Sequence, residues 1–147
     1  MQGLDALRQL TVLDRERIEH VMRSILDLRV QSNFIEMSKF CADNVVLEVV
    51  GDPRRFIYAG KYCGRDAVLD CVRRMGVEID YLDYELLDLL IDHDKALLRR
   101  RVFVRHRGTG ITVPHEIWDR FRFEDGMIVE ISKFIDVDAY NRLQGGN

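Results

Sequence analysis

The sequence predicts an α+β domain, its helices segregated to one side of an antiparallel sheet. Three observations carry this. Apolar residues recur at helical spacing near the start of the chain, β-branched and alternating segments fill its second half, and Asp125-Gly126 separates two strong strand segments as a hairpin turn does. Residues 14–30 place Ile18, Val21, Met22, Ile25 and Leu26 on one stripe, with Arg15, Glu16, Glu19 and Arg23 opposite. Asp14 or Thr11 is the expected cap of that helix. Asn33-Phe34-Ile35-Glu36 reads as a capping box for a short second helix ending near Cys41, with Phe34, Met37 and Phe40 toward the core. Val45–Val50 is a strand closed by Gly51-Asp52-Pro53, and Phe56–Tyr62 is the next, with Tyr58 and Tyr62 on one face. Gly64-Arg65-Asp66 opens a third helix, buried through Val68, Leu69, Val72 and Met75 and stopped by Gly76. Four strands follow, over 81–91, 95–107, 112–124 and 127–136, and a short helix over 138–143 closes the chain.

The 147 residues suit a single domain spanning 1–147, with 1–13 as an N-terminal extension. Hydrophobic residues make up 47% and charged residues 32%, which excludes a disordered chain. A net charge of −3 excludes a globally basic nucleic-acid binder. No apolar run reaches the length of a membrane helix, and the N-terminus lacks the basic start of a secretory signal. Cys41, Cys63 and Cys71 fit no metal or disulfide pattern and read as buried thiols of a reducing, cytoplasmic protein. Neither an HxH nor an HxxxH pair occurs among His20, His93, His106 and His115, so no metal is expected. Gly108-Thr109-Gly110 is followed by strand and is no phosphate loop.

Parity divides the long strands into faces. Between residues 95 and 107 the even set, Leu98, Arg100, Val102, Val104 and His106, faces the helices, and the odd set turns Arg99, Arg101 and Arg105 away. In the next strand Val113, His115, Ile117, Asp119, Phe121 and Phe123 share the inner face. Asp119 is thus one carboxylate among apolar neighbours, hard to ionise unless a cation reaches it, and a candidate for chemistry on that account. Pairing with Arg100 across the sheet is the purely structural alternative. On the outer face, arginines interleave with Glu116 and Glu124, which favours a lattice of ion pairs over a phosphate-binding stripe. Trp118 and Arg120 among these charges suggest a homodimer through that face.

Three stretches carry a resemblance. Phe40-Cys41-Ala42-Asp43-Asn44-Val45-Val46-Leu47-Glu48, Tyr62-Cys63-Gly64-Arg65-Asp66-Ala67-Val68, and Asp119-Arg120-Phe121-Arg122-Phe123-Glu124-Asp125-Gly126-Met127-Ile128-Val129-Glu130 resemble, in order and spacing, the F-A-D-D-V, G-R-E-A-I and D-x-x-R-F-x-D-G-K-I-V stretches of NTF2-like proteins. The chain is most similar in flavour to the SnoaL-like group, which includes polyketide cyclases and lies near the ketosteroid isomerases. The resemblance implies a cone: a strongly curved antiparallel sheet wrapped around helices and open at one end into an apolar pocket. It sets Asp119 where the isomerases keep a protonated aspartate that donates to an oxyanion, and where the SnoaL cyclases keep an acid/base aspartate. The isomerase base falls at Val49 and its phenol at Ile25, and neither side chain can act so. A limonene epoxide hydrolase pattern keeps its arginine at Arg100, but its carboxylates fall at Val102 and Lys133. A scytalone dehydratase-like set would use His106, His115, Asp119, Tyr58 and Tyr62.

The function expected is therefore cofactor-free proton transfer beside a carbonyl on a hydrophobic small molecule: isomerisation, cyclisation or dehydration. Asp119 is the expected acid/base, assisted by His106 or His115, with Tyr58 or Tyr62 donating to the oxyanion. Val49, Val102, Val104, Ile117 and Phe121 are the expected apolar lining, with Tyr62, Arg100 and Lys133 beside them. The alternative is a non-catalytic ligand-binding or dimerisation module, favoured if Arg100 or Lys133 neutralises Asp119.

Overall fold

In the computed structural model, which describes residues 2–145 and side chains from residue 14 onward, helix α1 spans Gln2–Val30 and α2 spans Phe34–Ser38. Strands β1 (Cys41–Val50) and β2 (Gly60–Cys63) come next, followed by helix α3 (Arg65–Gly76). Strands β3 (Ile79–Asp92), β4 (Lys95–His106), β5 (His115–Glu124) and β6 (Met127–Ile135) form a meander, and α4 spans Val137–Leu143. The sheet has the order β2-β1-β6-β5-β4-β3. All neighbours are antiparallel except β1 and β6, which run parallel. The helices-then-meander order thus gives the α+β layout with a curved, unclosed sheet.

The stripe of α1 is buried as its spacing predicts: Val21 and Met22 are fully enclosed, and Ile18 and Leu26 nearly so. The helix extends back to Gln2, so neither Thr11 nor Asp14 is its cap. How the side chains of residues 1–13 pack lies outside the described residues. Asn33 caps α2 by accepting from Glu36 N at 3.3 Å. Glu36 turns its own carboxylate to Lys39 Nζ, which completes only half of the capping box. Phe34, Met37 and Phe40 are half-buried rather than core, because α2 lies over the rim of the sheet's hollow.

Four local expectations are corrected. The strand drawn through Phe56–Tyr62 is real only from Gly60; Phe56 to Ala59 form turns, with Phe56 N accepted by Asp52 O at 2.9 Å. Tyr58 therefore does not share a strand face with Tyr62. Gly76 does not stop α3 by a left-handed turn: it is the last helical residue, and a Cβ there would lie 2.9 Å from Phe34 Cζ, so its bareness admits the aromatic ring. Cys63 is exposed, because β2 is a short edge strand; Cys41 and Cys71 are buried as expected.

The alternation in β4 and β5 holds, with even residues of β4 and odd residues of β5 inside. Asp125 and Gly126 both have positive φ, 51° and 76°, the two-residue turn that suits twisted antiparallel strands. The outer face carries the ion-pair lattice: Arg99 to Asp88 at 2.6 Å and to Glu116 at 3.4 Å, Arg122 to Glu130 at 3.1 Å. Trp118 and Phe134, opposite each other on β5 and β6, stand half-exposed among these charges. Among the described residues, no helix is long and apolar enough to cross a membrane.

Leu47 is 1% exposed on the inner face of β1, whereas Leu90 is 60% exposed near the end of β3. Leu47→Ala should cost about 2–5 kcal/mol in a urea titration, and Leu90→Ala should change stability by no more than about 0.5 kcal/mol. Equal losses would mean that the inner face is not where the sheet buries its apolar residues.

Candidate functional site

Asp119 stands at the middle of β5's inner face, 2% exposed. Its Cα partners are Leu98 on β4 and Lys133 on β6. Lys133 Nζ donates to its Oδ1 at 2.8 Å, and Arg100 Nη2, two residues along β4, donates to its Oδ2 at 3.3 Å. Burial pushes the carboxyl's pKa up, but the Lys133 and Arg100 charges and their hydrogen bonds outweigh it and hold the pKa below the usual carboxylate value. Asp119 is thus an ion, not the protonated donor that the isomerase resemblance implies: two cations reach it.

A third cation arrives from α1. Arg29 is 5% exposed, stacks over Phe34 and Tyr81, and donates from Nη2 to the Tyr81 hydroxyl at 3.2 Å. Its Nε and Nη1 are buried without an acceptor among the described residues, as is Arg100 Nε. Among the described residues, these three cations and one carboxylate leave two positive charges uncompensated. The effect reaches neighbouring groups. Burial lowers the Lys133 pKa, with Asp119 opposing and Arg100 and Arg29 adding to the fall. Tyr81 is half-buried, with its hydroxyl held by Arg29. Burial raises its pKa, but Arg29, Arg100 and Lys133 overcome that and bring it down to about 8.

These groups close the inner end of a cavity of about 80 Å³ between the three N-terminal helices and the sheet. At the volume of water in the liquid that is room for about two or three waters, so a ligand with an aromatic ring extends past its solvent side. Its walls include Ile25 and Phe34, Val68 and Leu69 of α3, and Leu98 and Phe121 of the sheet. Part-exposed Met37, Ser38 and Arg65 lie on its solvent side. A smaller cavity of about 20 Å³ lies beyond Arg29 and Lys133, which line both; Tyr81, His115 and Tyr140 are among its walls.

Of the residues singled out in the sequence, Asp119, Arg100, Lys133 and Phe121 meet in the larger cavity. Val104, Ile117 and His115 line the smaller one. Val49 and Val102 are packed in the core and line neither. His106 and His115 do not come together with Asp119. His106 Nδ1 accepts from Thr109 N at 3.1 Å in the β4–β5 connection, and His115 Nδ1 lies 2.9 Å from Val113 O. Burial lowers the His115 pKa, with the Val113 contact opposing, so the ring is neutral at pH 7. Tyr58 and Tyr62 line neither cavity either. Tyr58 donates to Arg74 O at 3.1 Å at the end of α3, and Tyr62 donates to Tyr58 O at 2.7 Å. Among the described residues no three His, Cys, Asp or Glu side chains converge as metal ligands would.

Two site residues escaped the sequence reading. Arg29 lies three and four residues beyond Leu26 and Ile25, on the same stripe as Met22, so helical spacing carried its signal. Tyr81 lies on β3, where register shifts between Tyr81 and Asp83 and between Leu86 and Asp88 exchange the faces and defeat parity.

Helices held in the hollow of a strongly curved, open sheet, with a pocket at their junction, define the NTF2-like class of α+β proteins. The chain belongs to the SnoaL-like domain family, whose model matches residues 22–131. Three solved structures share the fold. A protein from Bacillus subtilis named as an isomerase candidate superposes with a TM-score of 0.82 at 14% identity, over 91% of this chain and 96% of that one. An NTF2-like protein from Burkholderia thailandensis gives 0.72 at 21%, over 85% and 95%. A LEH-like epoxide hydrolase from M. tuberculosis gives 0.66 at 19%, over 86% and 89%. A search of curated sequences finds no match.

Tyr81 provides a direct test of the cluster's charge. One tyrosine should ionise near pH 8 in an ultraviolet titration of the native chain, and Arg29→Met should move it back toward 10. Because the folded pKa lies below the unfolded one, this group adds no stability below pH 8, a growing contribution from 8 to 10, and its full share above. Absence of a tyrosine titrating ahead of the others would refute the uncompensated positive cluster.

Proposed function

We propose that the chain binds a hydrophobic, carbonyl-bearing small molecule in the larger cavity, its apolar body against α1, α3 and the sheet and its oxygen toward Arg29, Arg100 and Lys133. The observation that carries this reading is an apolar cavity whose walls include Arg29 and Arg100, two buried guanidiniums with hydrogen-bond donors that have no acceptor among the described residues. Pockets of this form, mostly apolar with a few convergent polar groups, are the usual seat of small-molecule recognition. Neutralisation of Asp119 by Lys133 and Arg100 favours binding over acid–base chemistry. In a calorimetric titration, 4-phenyl-2-butanone should bind one per chain. Leu69→Trp, which fills the cavity from α3, should weaken it at least tenfold. Undiminished binding to that variant would exclude the cavity.

A second reading, a cofactor-free isomerase, cyclase or dehydratase, is favoured by one observation. An ionised carboxylate and several cations share the cavity's inner end, so a base and a stabiliser for a developing enolate adjoin the same space. In this reading Asp119 takes the α-proton while Arg100 and Lys133 hold the oxygen anion, and the histidines take no part. Both carboxylate oxygens are engaged, so one must release its donor first. Exchange of the α-protons of 4-phenyl-2-butanone in deuterated water, followed by NMR, should be accelerated by the chain and fall about 10²–10⁴-fold in Asp119→Asn. Exchange at the buffer rate with both proteins leaves binding as the only activity.

A further inference from the structure

Resting on the reading of the larger cavity as a ligand site, we propose that its ligand is a monocarboxylate with an apolar body, whose carboxylate sits between Arg29 and Arg100. The starting point is charge. Arg29 and Arg100 are 5% and 4% exposed, and Lys133 has a side chain only 12% exposed. Asp119 alone, among the groups closing the inner end, carries negative charge to set against them. Its two oxygens are used, one by Lys133 and the other by Arg100 Nη2. Arg29 spends one nitrogen on a neutral phenol. The remaining buried nitrogens, Arg29 Nε and Nη1 and Arg100 Nε, have no acceptor among the described residues.

A buried guanidinium without an acceptor is among the costliest arrangements a protein holds, since desolvation is not offset by pairing. A neutral carbonyl would satisfy one or two of these donors but leave the charge. A carboxylate satisfies donors and charge together, with short charge-assisted hydrogen bonds. Arginine suits this better than lysine, because its planar donors match a planar acceptor. The rest of the cavity is hydrocarbon: Ile25, Val68, Leu98, Phe121 and Ile131 receive the ligand's body, not a second charge. A dicarboxylate or a sugar acid would leave its second polar end against those walls. The ligand class is therefore an aryl- or alkyl-substituted acid of modest size.

The test compares two molecules of one shape. 3-Phenylpropanoate and 4-phenyl-2-butanone differ only in an oxygen anion against a methyl group. Calorimetry on the full chain at pH 7 should find the acid bound at least tenfold tighter than the ketone. Arg29→Met should weaken the acid by far more than the ketone and so abolish that preference, and Arg29→Lys should restore part of it. If the ketone binds and the acid binds no better, the carboxylate assignment is overturned and the cavity reading stands. If neither binds, both fall. The comparison on the unaltered chain decides the matter even where an Arg29 variant does not fold.

Discussion

The contact between Asp119 and its two cations governs how the interior of this protein is organised. Three neighbouring strands each contribute one group to it: Arg100 from β4, Asp119 from β5 and Lys133 from β6. Arg29 approaches the same point from α1, so the longest helix is seated on the sheet partly through a cationic side chain. Stability gives little reason for such an arrangement. Well-packed hydrophobic residues of similar volume commonly do as well as a buried ion pair or better, whereas loss of one partner is strongly destabilising. Here the single carboxylate holds Lys133 and Arg100 with Arg29 close by, and its removal would leave the cations facing one another. The cluster is better understood through what it presents to the cavity than through what it contributes to folding.

Curvature makes that cavity possible. β3 and β4 are 14 and 12 residues long, and a flat sheet of such strands would leave its helices lying on a plane. Register shifts at Tyr81/Asp83 and Leu86/Asp88 on β3, and at Arg122/Phe123 between β5 and β6, add local twist and bend the sheet toward the helices. Each shift also moves following residues to the opposite face. Tyr81, Tyr84 and Leu86, then Leu89 and Ile91, all pack toward the core although their numbers change parity twice.

The same irregularities explain how much could be read in advance. β4 and most of β5 follow strict alternation, so the inward placement of Arg100, His115, Ile117, Asp119 and Phe121 was legible from spacing alone. Lys133 as a partner for Asp119 was reached only through the epoxide hydrolase resemblance, not through spacing. Counting outward from the Asp125-Gly126 turn, Glu124 faces Met127 and Phe123 faces Ile128, which would set Asp119 opposite Ser132. The extra residue at Val129 moves the register by one, so that Lys133 faces Asp119 instead. No residue in that stretch announces the bulge. Arg29 was legible in principle, since it continues the buried stripe of α1, but an arginine at a core position reads as helix surface until something is known to stack on it. The histidines mark the opposite failure. His106 ends one arm of a hairpin and His115 begins the other, and strand spacing alone suggests that they meet; the connection between them instead holds His106 to Thr109 and leaves His115 over a separate, smaller cavity.

Shared architecture with an isomerase candidate and an epoxide hydrolase does not by itself transfer either chemistry, which must be argued from the site. The resemblance sets Val49, here enclosed in hydrocarbon, at the isomerase base position, and Lys133 at an epoxide hydrolase carboxylate position. A site with paired carboxylates can pass a proton from one to the other. A site with one carboxylate, already clasped on both oxygens, and two spare positive charges is suited instead to holding an anion. Whether that anion arrives with the ligand or develops on it as an enolate, the same donors serve. Turnover demands one thing more: that Asp119 exchange its contact with Lys133 or Arg100 for a proton. That exchange removes the carboxylate charge that holds Lys133 and Arg100, with Arg29 close by, unless the anion on the ligand has already taken its place. A proton transfer to Asp119 and an oxygen anion beside Arg29 are therefore coupled events, and the anion-binding end of the cavity is the physical precondition for any chemistry this fold could perform here.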